Sequence, residues 1–296
     1  MLRRCPPRAR GFNMSSSFIL SIVTFGYLFA ALAYLLLLVF RKEAFGRLAT
    51  WSTLIVLGLQ TWGIIWRWIE SYQLGIGHAP FSNLYESLIF FAWTIAFIYL
   101  WIEFKTGLKA IGAFTLPFAF LSMAYASFSP DMNTRIQPLL PALKSNWLIA
   151  HVITCFLGYA AFAVSCGLAF MYLLRSKKTE KAKSVAESAG FLPEQSALDD
   201  LVYQTVLVGF LLLTVGIATG SIWAHSAWGT YWSWDPKETW SLITWLVYAT
   251  LLHARMMKGW HGKRIAWFSI IGFACVLFTY FGVNFILSGL HSYGSA

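Results

Sequence analysis

The chain runs to 296 residues, of which 58% are hydrophobic and only 11% charged, and its formal net charge is +10. Soluble domains carry charge on roughly a quarter of their residues, so this composition excludes an ordinary globular enzyme and predicts an all-α, polytopic bundle of helices in a membrane. The positive balance could suggest nucleic acid, but its sorting by loop follows membrane insertion and leaves nucleic acid no place.

Taken in chain order, the first thirteen residues, MLRRCPPRARGFN, hold four arginines, and Met14 opens a cleaner start, MSSSFILSIV. Residues 1–17 therefore read as a leader whose true start is Met14, and 18–296 as one transmembrane domain. A signal peptide is the competing reading, but the apolar run from Phe18 to Phe40 is too long for a signal core and ends at Arg41-Lys42, as an anchor does. Crossing about 30 Å of hydrocarbon takes roughly 20 apolar residues. Eight runs qualify, near 18–40, 51–69, 85–103, 109–127, 147–174, 201–223, 238–254 and 265–289. The longest polar stretch, about 175–200, has room for a short amphipathic helix at most.

With the loop after the first span placed on the cytoplasmic side, that side collects fourteen lysines and arginines, against Arg67, Arg135, Lys144 and Lys237 on the later outer segments; the four arginines of the first thirteen residues would fall outside, against the pattern, which favours the start at Met14. The asymmetry sets the orientation. Segments 70–84, 128–146 and 224–237 and the tail after Leu290 then face outward. Of the four cysteines, Cys155, Cys166 and Cys275 fall within spans as small packing residues and Cys5 lies in the leader. None shows metal-ligand spacing or forms an evident redox pair.

The outer segment 223–240 reads WAHSAWGTYWSWDPKETW. Pro236 suits the first turn of the seventh helix, with Asp235 as its N-cap and Glu238 facing the positive end of the helix dipole. Trp228, Tyr231, Trp232 and Trp234 crowd seven residues beside Gly229, which permits a turn. An interfacial tryptophan belt spreads over many helices. A shelf concentrated in one loop fits a bound lipid, quinone or flat macrocycle.

Histidines in and beside spans are costly without a role, and imidazole is a common axial ligand of haem iron. His151 lies one turn into the fifth helix and His291 just past the eighth, at similar depth beside the tryptophan loop. His78 and His225 share that side and are physically eligible. His253 ends the seventh helix about 22 Å from Glu238 at 1.5 Å per residue, toward the cytoplasmic face. No second ligand lies at its level in this chain, so another subunit would supply one.

WGTYWSWDPKETWSLITW at 228–245 resembles the tryptophan-rich WWD signature of haem-handling proteins in cytochrome c maturation. Together with GHAPFSNLYES at 77–87 and the flanking histidines, it makes the chain from about residue 18 similar to the CcsA or ResC type of cytochrome c biogenesis protein. At 225–226 the chain has His-Ser where plastid-like members carry Asn-Glu, and the resemblance assigns His225 no ligand role.

The resemblance implies a subunit of a cytochrome c synthase that relays haem b across the membrane and presents it for thioether attachment to the CxxCH of apocytochrome c. His151 and His291 would ligate iron on the outer side, over a platform of Trp228, Trp232, Trp234 and Asp235. His253 would share a second haem site with a CcsB- or ResB-type subunit. A separate thiol-reducing protein would keep the CxxCH thiols reduced, since thiolate is the nucleophile. The setting would be a bacterial inner membrane or thylakoid equivalent, with lipid around the bundle and the tryptophan loop on the periplasmic or outer side. The enzyme's part would be positioning, with no catalytic side chain required. A b-type electron-transfer cytochrome is the nearest alternative, but it would bury paired histidines at both levels of one bundle. A transporter would show broken helices or inverted repeats near mid-membrane, which the sequence lacks.

Overall fold

The computed structural model describes residues 15–181 and 192–287. Eight helices make the bundle: α1 (Ser16–Phe40), α2 (Glu43–Gln73), α3 (Leu84–Thr106), α4 (Gly112–Phe128), α5 (Asn146–Lys181), α6 (Gln195–Trp228), α7 (Pro236–Lys258) and α8 (Lys263–Leu277). α8 runs through a π-turn (Phe278–Gly282) into a short α9 (Val283–Ile286). Among the described residues there is no strand.

Seven of these helices are long and apolar enough to cross a membrane. The seventh expected span, 238–254, forms α7, whose 23 residues are long enough at about 34 Å. Its composition falls short, because Thr239, Ser241, Thr244, Thr250, His253 and Arg255 dilute its apolar face. The polar stretch 175–200 is also more helical than expected. α5 continues to Lys181 and α6 begins at Gln195.

The first four helices pack as a unit in which α1 touches α2 and α4, and α3 touches α4. α5 then joins that unit through α3 and α4 and forms the core of the second half, against α6 and α8, with α7 closing on α6 and α8. Several polar residues buried in this oily setting are held by partners, as burial favours. Arg67 Nε donates to Glu86 Oε1 at 2.9 Å, and Tyr34 Oη donates to Glu103 Oε2 at 2.7 Å. Tyr27 Oη donates to Gln60, whose amide donates to the Ile89 carbonyl at 2.8 Å.

At the end of the bundle opposite the tryptophan loop, Arg255 donates to Asp199 Oδ2 at 2.6 Å and to Asp200 Oδ1 at 2.9 Å. His261 Nδ1 lies 3.0 Å from the same Asp199 oxygen, and the Gly262 amide donates to Asp199 Oδ1. This network pins the end of α7 to the start of α6.

Candidate functional site

The tryptophan-rich segment is less of a loop than its composition suggests. α6 continues five residues past the expected end at 223, through Trp228, and stops at Gly229, whose left-handed φ of 83° suits a residue without Cβ. α7 then begins at Pro236, so only 229–235 is irregular. Aromatic contacts run across this end of the helix: Trp223 and Trp228 meet edge to face at 4.9 Å, and His225 stacks on Tyr231 at 4.3 Å.

The start of α7 is built as its residues dictate. Asp235 caps the helix by accepting from the Lys237 amide at 3.1 Å, and Glu238 reaches back in a capping box. Glu238 Oε2 accepts from the amides of Ser233 at 2.7 Å and Asp235 at 3.2 Å. Trp234 lies between those two amides with φ of 58°, a costly conformation for a bulky residue. Two flanking N–H groups converging on one carboxylate hold it there.

Beneath this loop is a cleft, open to the outside, with a cavity volume of about 110 Å³. Its walls come from α3, α5, α6, the loop, α7 and the π-turn, and they include His151, Phe156, Trp223, Trp232, Lys237 and Tyr280. The π-turn, a widened turn frequent at functional sites, carries Tyr280, which hydrogen-bonds Ser87 of α3.

His151 is oriented from both sides. Its ring lies nearly parallel to Trp223, with centroids 6.0 Å apart and planes inclined by 18°. Its Nδ1 is 2.7 Å from the Gly216 carbonyl oxygen. A carbonyl only accepts, so Nδ1 carries the hydrogen and the lone pair is on Nε2, the tautomer in which an imidazole coordinates metal. The approach requires bare backbone on α6: a Cβ on Gly220 would lie 2.5 Å from Nδ1, and one on Gly216 would lie 2.5 Å from Cys155 Sγ.

The cleft thus brings His151 and Trp232 together. The other three expected platform residues are not among those lining it: Trp228 packs against Trp223, Trp234, 68% exposed, meets Trp232 edge to face, and Asp235 caps α7. His291 lies outside the described residues, as do the leader at 1–14 and the chain at 182–191. The last described residues do reach the cleft, because Asn284 Oδ1 lies 3.3 Å from Lys237 Nζ. His253 is at the other end of α7 and exposed. Residues two apart on a helix point to nearly opposite sides, so burying Arg255 turns His253 outward from the bundle. The remaining eligible histidines are occupied differently. His78 is buried with Nδ1 2.8 Å from the Ala79 carbonyl and Nε2 2.9 Å from the Gln137 carbonyl, which staples segment 70–84 to 128–146. His225 is exposed on the stack with Tyr231.

Sequence reasoning did not find Trp223, Lys237 or Tyr280 as cleft residues. A signal existed for Trp223: Gly216, Gly220 and Trp223 recur at four and three residues, one face of a helix.

Residues 81–291 match the family model of the cytochrome C assembly protein. A cytochrome c biogenesis protein CcsA from Pyropia yezoensis is 41% identical, aligned over 93% of this chain and 97% of its own length. Proteins of the same name from Guillardia theta and Synechococcus sp. (strain RCC307) are 45% and 43% identical over 77% and 80% of this chain, and 79% and 81% of their own. Among solved structures, the cytochrome c haem lyase CcmF superposes with a TM-score of 0.67 at 16% identity, which shows a shared fold. The match covers 94% of this chain and about half, 49%, of that longer one. With its polytopic helix bundle and its tryptophan-rich cleft, the chain belongs to the cytochrome c assembly family, as a CcsA-type cytochrome c biogenesis protein.

Proposed function

We propose that the cleft binds haem b and that the chain, as a subunit of a cytochrome c synthase, relays haem across the membrane and presents it to apocytochrome c. The observation that carries this reading is His151, whose Nδ1 lies 2.7 Å from the Gly216 carbonyl beside an aromatic wall. That donor set fits the group: an imidazole whose Nδ1 faces a carbonyl, which makes Nε2 the coordinating nitrogen, and indole and phenol surface for a flat macrocycle.

In this reading His151 Nε2 holds iron from one side and His291 from the other. Tyr280 in the cleft wall and Asn284 against Lys237 support that second role, since they bring the chain to this end of the bundle seven residues before His291. Trp223 and Trp232 cover the macrocycle, Trp228 backs Trp223, and Trp234 and the capped turn at Asp235 shape the rim. Haem b supplies the vinyl groups, to each of which a CxxCH thiol adds: sulfur bonds one carbon, the thiol proton goes to the other, and no net electron is transferred. The chain positions the reactants and excludes water, and the thiols are kept reduced by a separate thiol-reducing protein. His253, turned outward, contributes one ligand of a second site whose other ligand belongs to a CcsB- or ResB-type subunit. The tryptophan loop faces the periplasm, or the equivalent side of a thylakoid-type membrane.

The test is an absorption spectrum of the detergent-purified chain, alone and with its partner subunit. His151→Gly should lose most of the Soret band and regain it with added imidazole, and should stop covalent cytochrome c formation. A full-strength Soret band in that variant would refute the ligand assignment. Loss of quinol-linked electron flow alone would favour a b-type electron-transfer cytochrome.

A further inference from the structure

The cleft also carries charge, and its arrangement is one-sided. The charged side chains in its wall are Lys237 and Glu238, both from the first turn of α7. Glu238 Oε2 is committed to the loop, accepting from the Ser233 amide, the Ser233 hydroxyl at 3.2 Å and the Asp235 amide. The neighbouring Asp235 carboxylate caps the helix. The two acids hold the turn, and the Asp235 carboxylate also attracts the ammonium of Lys237. Its Nζ lies 3.3 Å from Asn284 Oδ1. The Asn284 amide nitrogen donates to the Tyr280 carbonyl at 2.6 Å, which fixes the oxygen toward the lysine. A lysine ammonium has three hydrogens to donate, and the α7 N-terminus adds its partial positive charge on the same side.

An apolar, aromatic cleft with one oriented ammonium in its wall is complementary to a flat apolar body bearing carboxylates along one edge. Haem b has that form, with two propionates on one side of the ring and its vinyl groups away from them. We infer that Lys237 takes a haem propionate and so sets which edge of the macrocycle enters the cleft, leaving the vinyl edge turned away from α7. The inference rests on the haem-binding reading above and adds orientation to it. In the resulting picture His151 fixes the iron while Lys237 fixes rotation about the iron–nitrogen axis. Both constraints are needed if two particular thiols are to meet two particular vinyl groups.

The test is a Soret titration of the full chain in detergent with haem b and with its dimethyl ester, which lacks the carboxylate charges. The wild-type chain should bind haem about ten- to a hundredfold more tightly than the ester, the range expected of a charge-assisted hydrogen bond in a cleft. Lys237→Gln should weaken haem to the level of the ester and leave the ester unchanged, and Lys237→Arg should keep most of the preference. Equal affinity of the wild-type chain for the two porphyrins would overturn the assignment to Lys237 while leaving haem binding intact. So would a Lys237→Gln variant that loses both equally, since that marks a structural role. If the wild-type chain binds neither, the haem-binding reading fails and this inference with it. Should Lys237→Gln not fold, the wild-type comparison of acid and ester decides alone.

Discussion

Gly220→Ala isolates the support of His151 from the ligand itself. The new Cβ would stand 2.5 Å from Nδ1 and 2.7 Å from Cε1 of His151. Ordinary contact begins near 3.4 Å, so the ring must retreat by about 0.9 Å. Along the bond to Gly216, a shift of that size would stretch the 2.7 Å contact to about 3.6 Å, beyond hydrogen-bonding range. The imidazole ends a flexible side chain and can swing, so the fold survives. Losing the hydrogen bond costs about 0.5–1.5 kcal/mol, against about 0.5–1 kcal/mol gained from replacing glycine within a helix. Thermal stability should therefore stay close to wild type. Haem affinity should not, because removing an outer-shell partner of a metal-binding histidine costs roughly 10- to 100-fold. The assay is a Soret titration of detergent-solubilised chain, paired with a thermal melt. Gly58→Ala is the control, since its Cβ would meet nothing within 4 Å. Added imidazole should rescue His151→Gly but not Gly220→Ala, where the displaced ring still occupies the space. Wild-type haem affinity in Gly220→Ala would refute the idea that the α6 backbone poises the ligand.

Three further outcomes are expected. His78→Ala removes the staple between 70–84 and 128–146 and should cost about 1–3 kcal/mol, read as faster proteolysis of 128–146 with the Soret band retained. Glu238→Ala removes the acceptor of three loop hydrogen bonds, so amide exchange over 233–235 should accelerate, by an amount matching about 1–2 kcal/mol of lost capping; unchanged exchange would contradict the account of Trp234. Arg67→Met strands Glu86 and should lower stability by about 3–5 kcal/mol, while Arg67→Met with Glu86→Gln should recover a large part. The pair is 3% and 1% exposed, so an additive double mutant would mean that the two do not interact.

The parts of the molecule that the sequence made legible are those governed by local chemistry. Asp235, Pro236 and Glu238 are a helix start written within four residues, and they form one. The long apolar runs became helices because length and composition alone decide that in hydrocarbon. Choosing among His78, His151 and His225 was another matter, because all three lie near the same end of the chain's hairpins and each is eligible as a residue type. What separates them is tertiary: two backbone carbonyls at the ring of His78, an exposed stack for His225, and for His151 a carbonyl from α6 at Nδ1 and a place in the cleft wall. Trp223 and Lys237 escaped for the same reason. Which face α6 turns to α5, and which way a first-turn lysine bends, depend on packing partners far away in sequence. The extent of α6 differs from the expected end at 223 because hydropathy falls at Ala224–Trp228, whereas the helix stops only where Gly229 takes a left-handed φ.

The acceptor that sets the tautomer of His151 is main chain, not a side chain. No substitution at position 216 can delete that oxygen, so the proton stays on the correct nitrogen through any mutation that spares the spacing between the two helices. The vulnerability is moved from chemistry to bulk: a single methyl group on α6 can do what loss of an acceptor would do elsewhere. The imidazole is also tied to the register of one helix against another, because α5 carries the ring and α6 carries its acceptor, so sliding α6 along α5 would shift the ring's anchor and the cleft wall together.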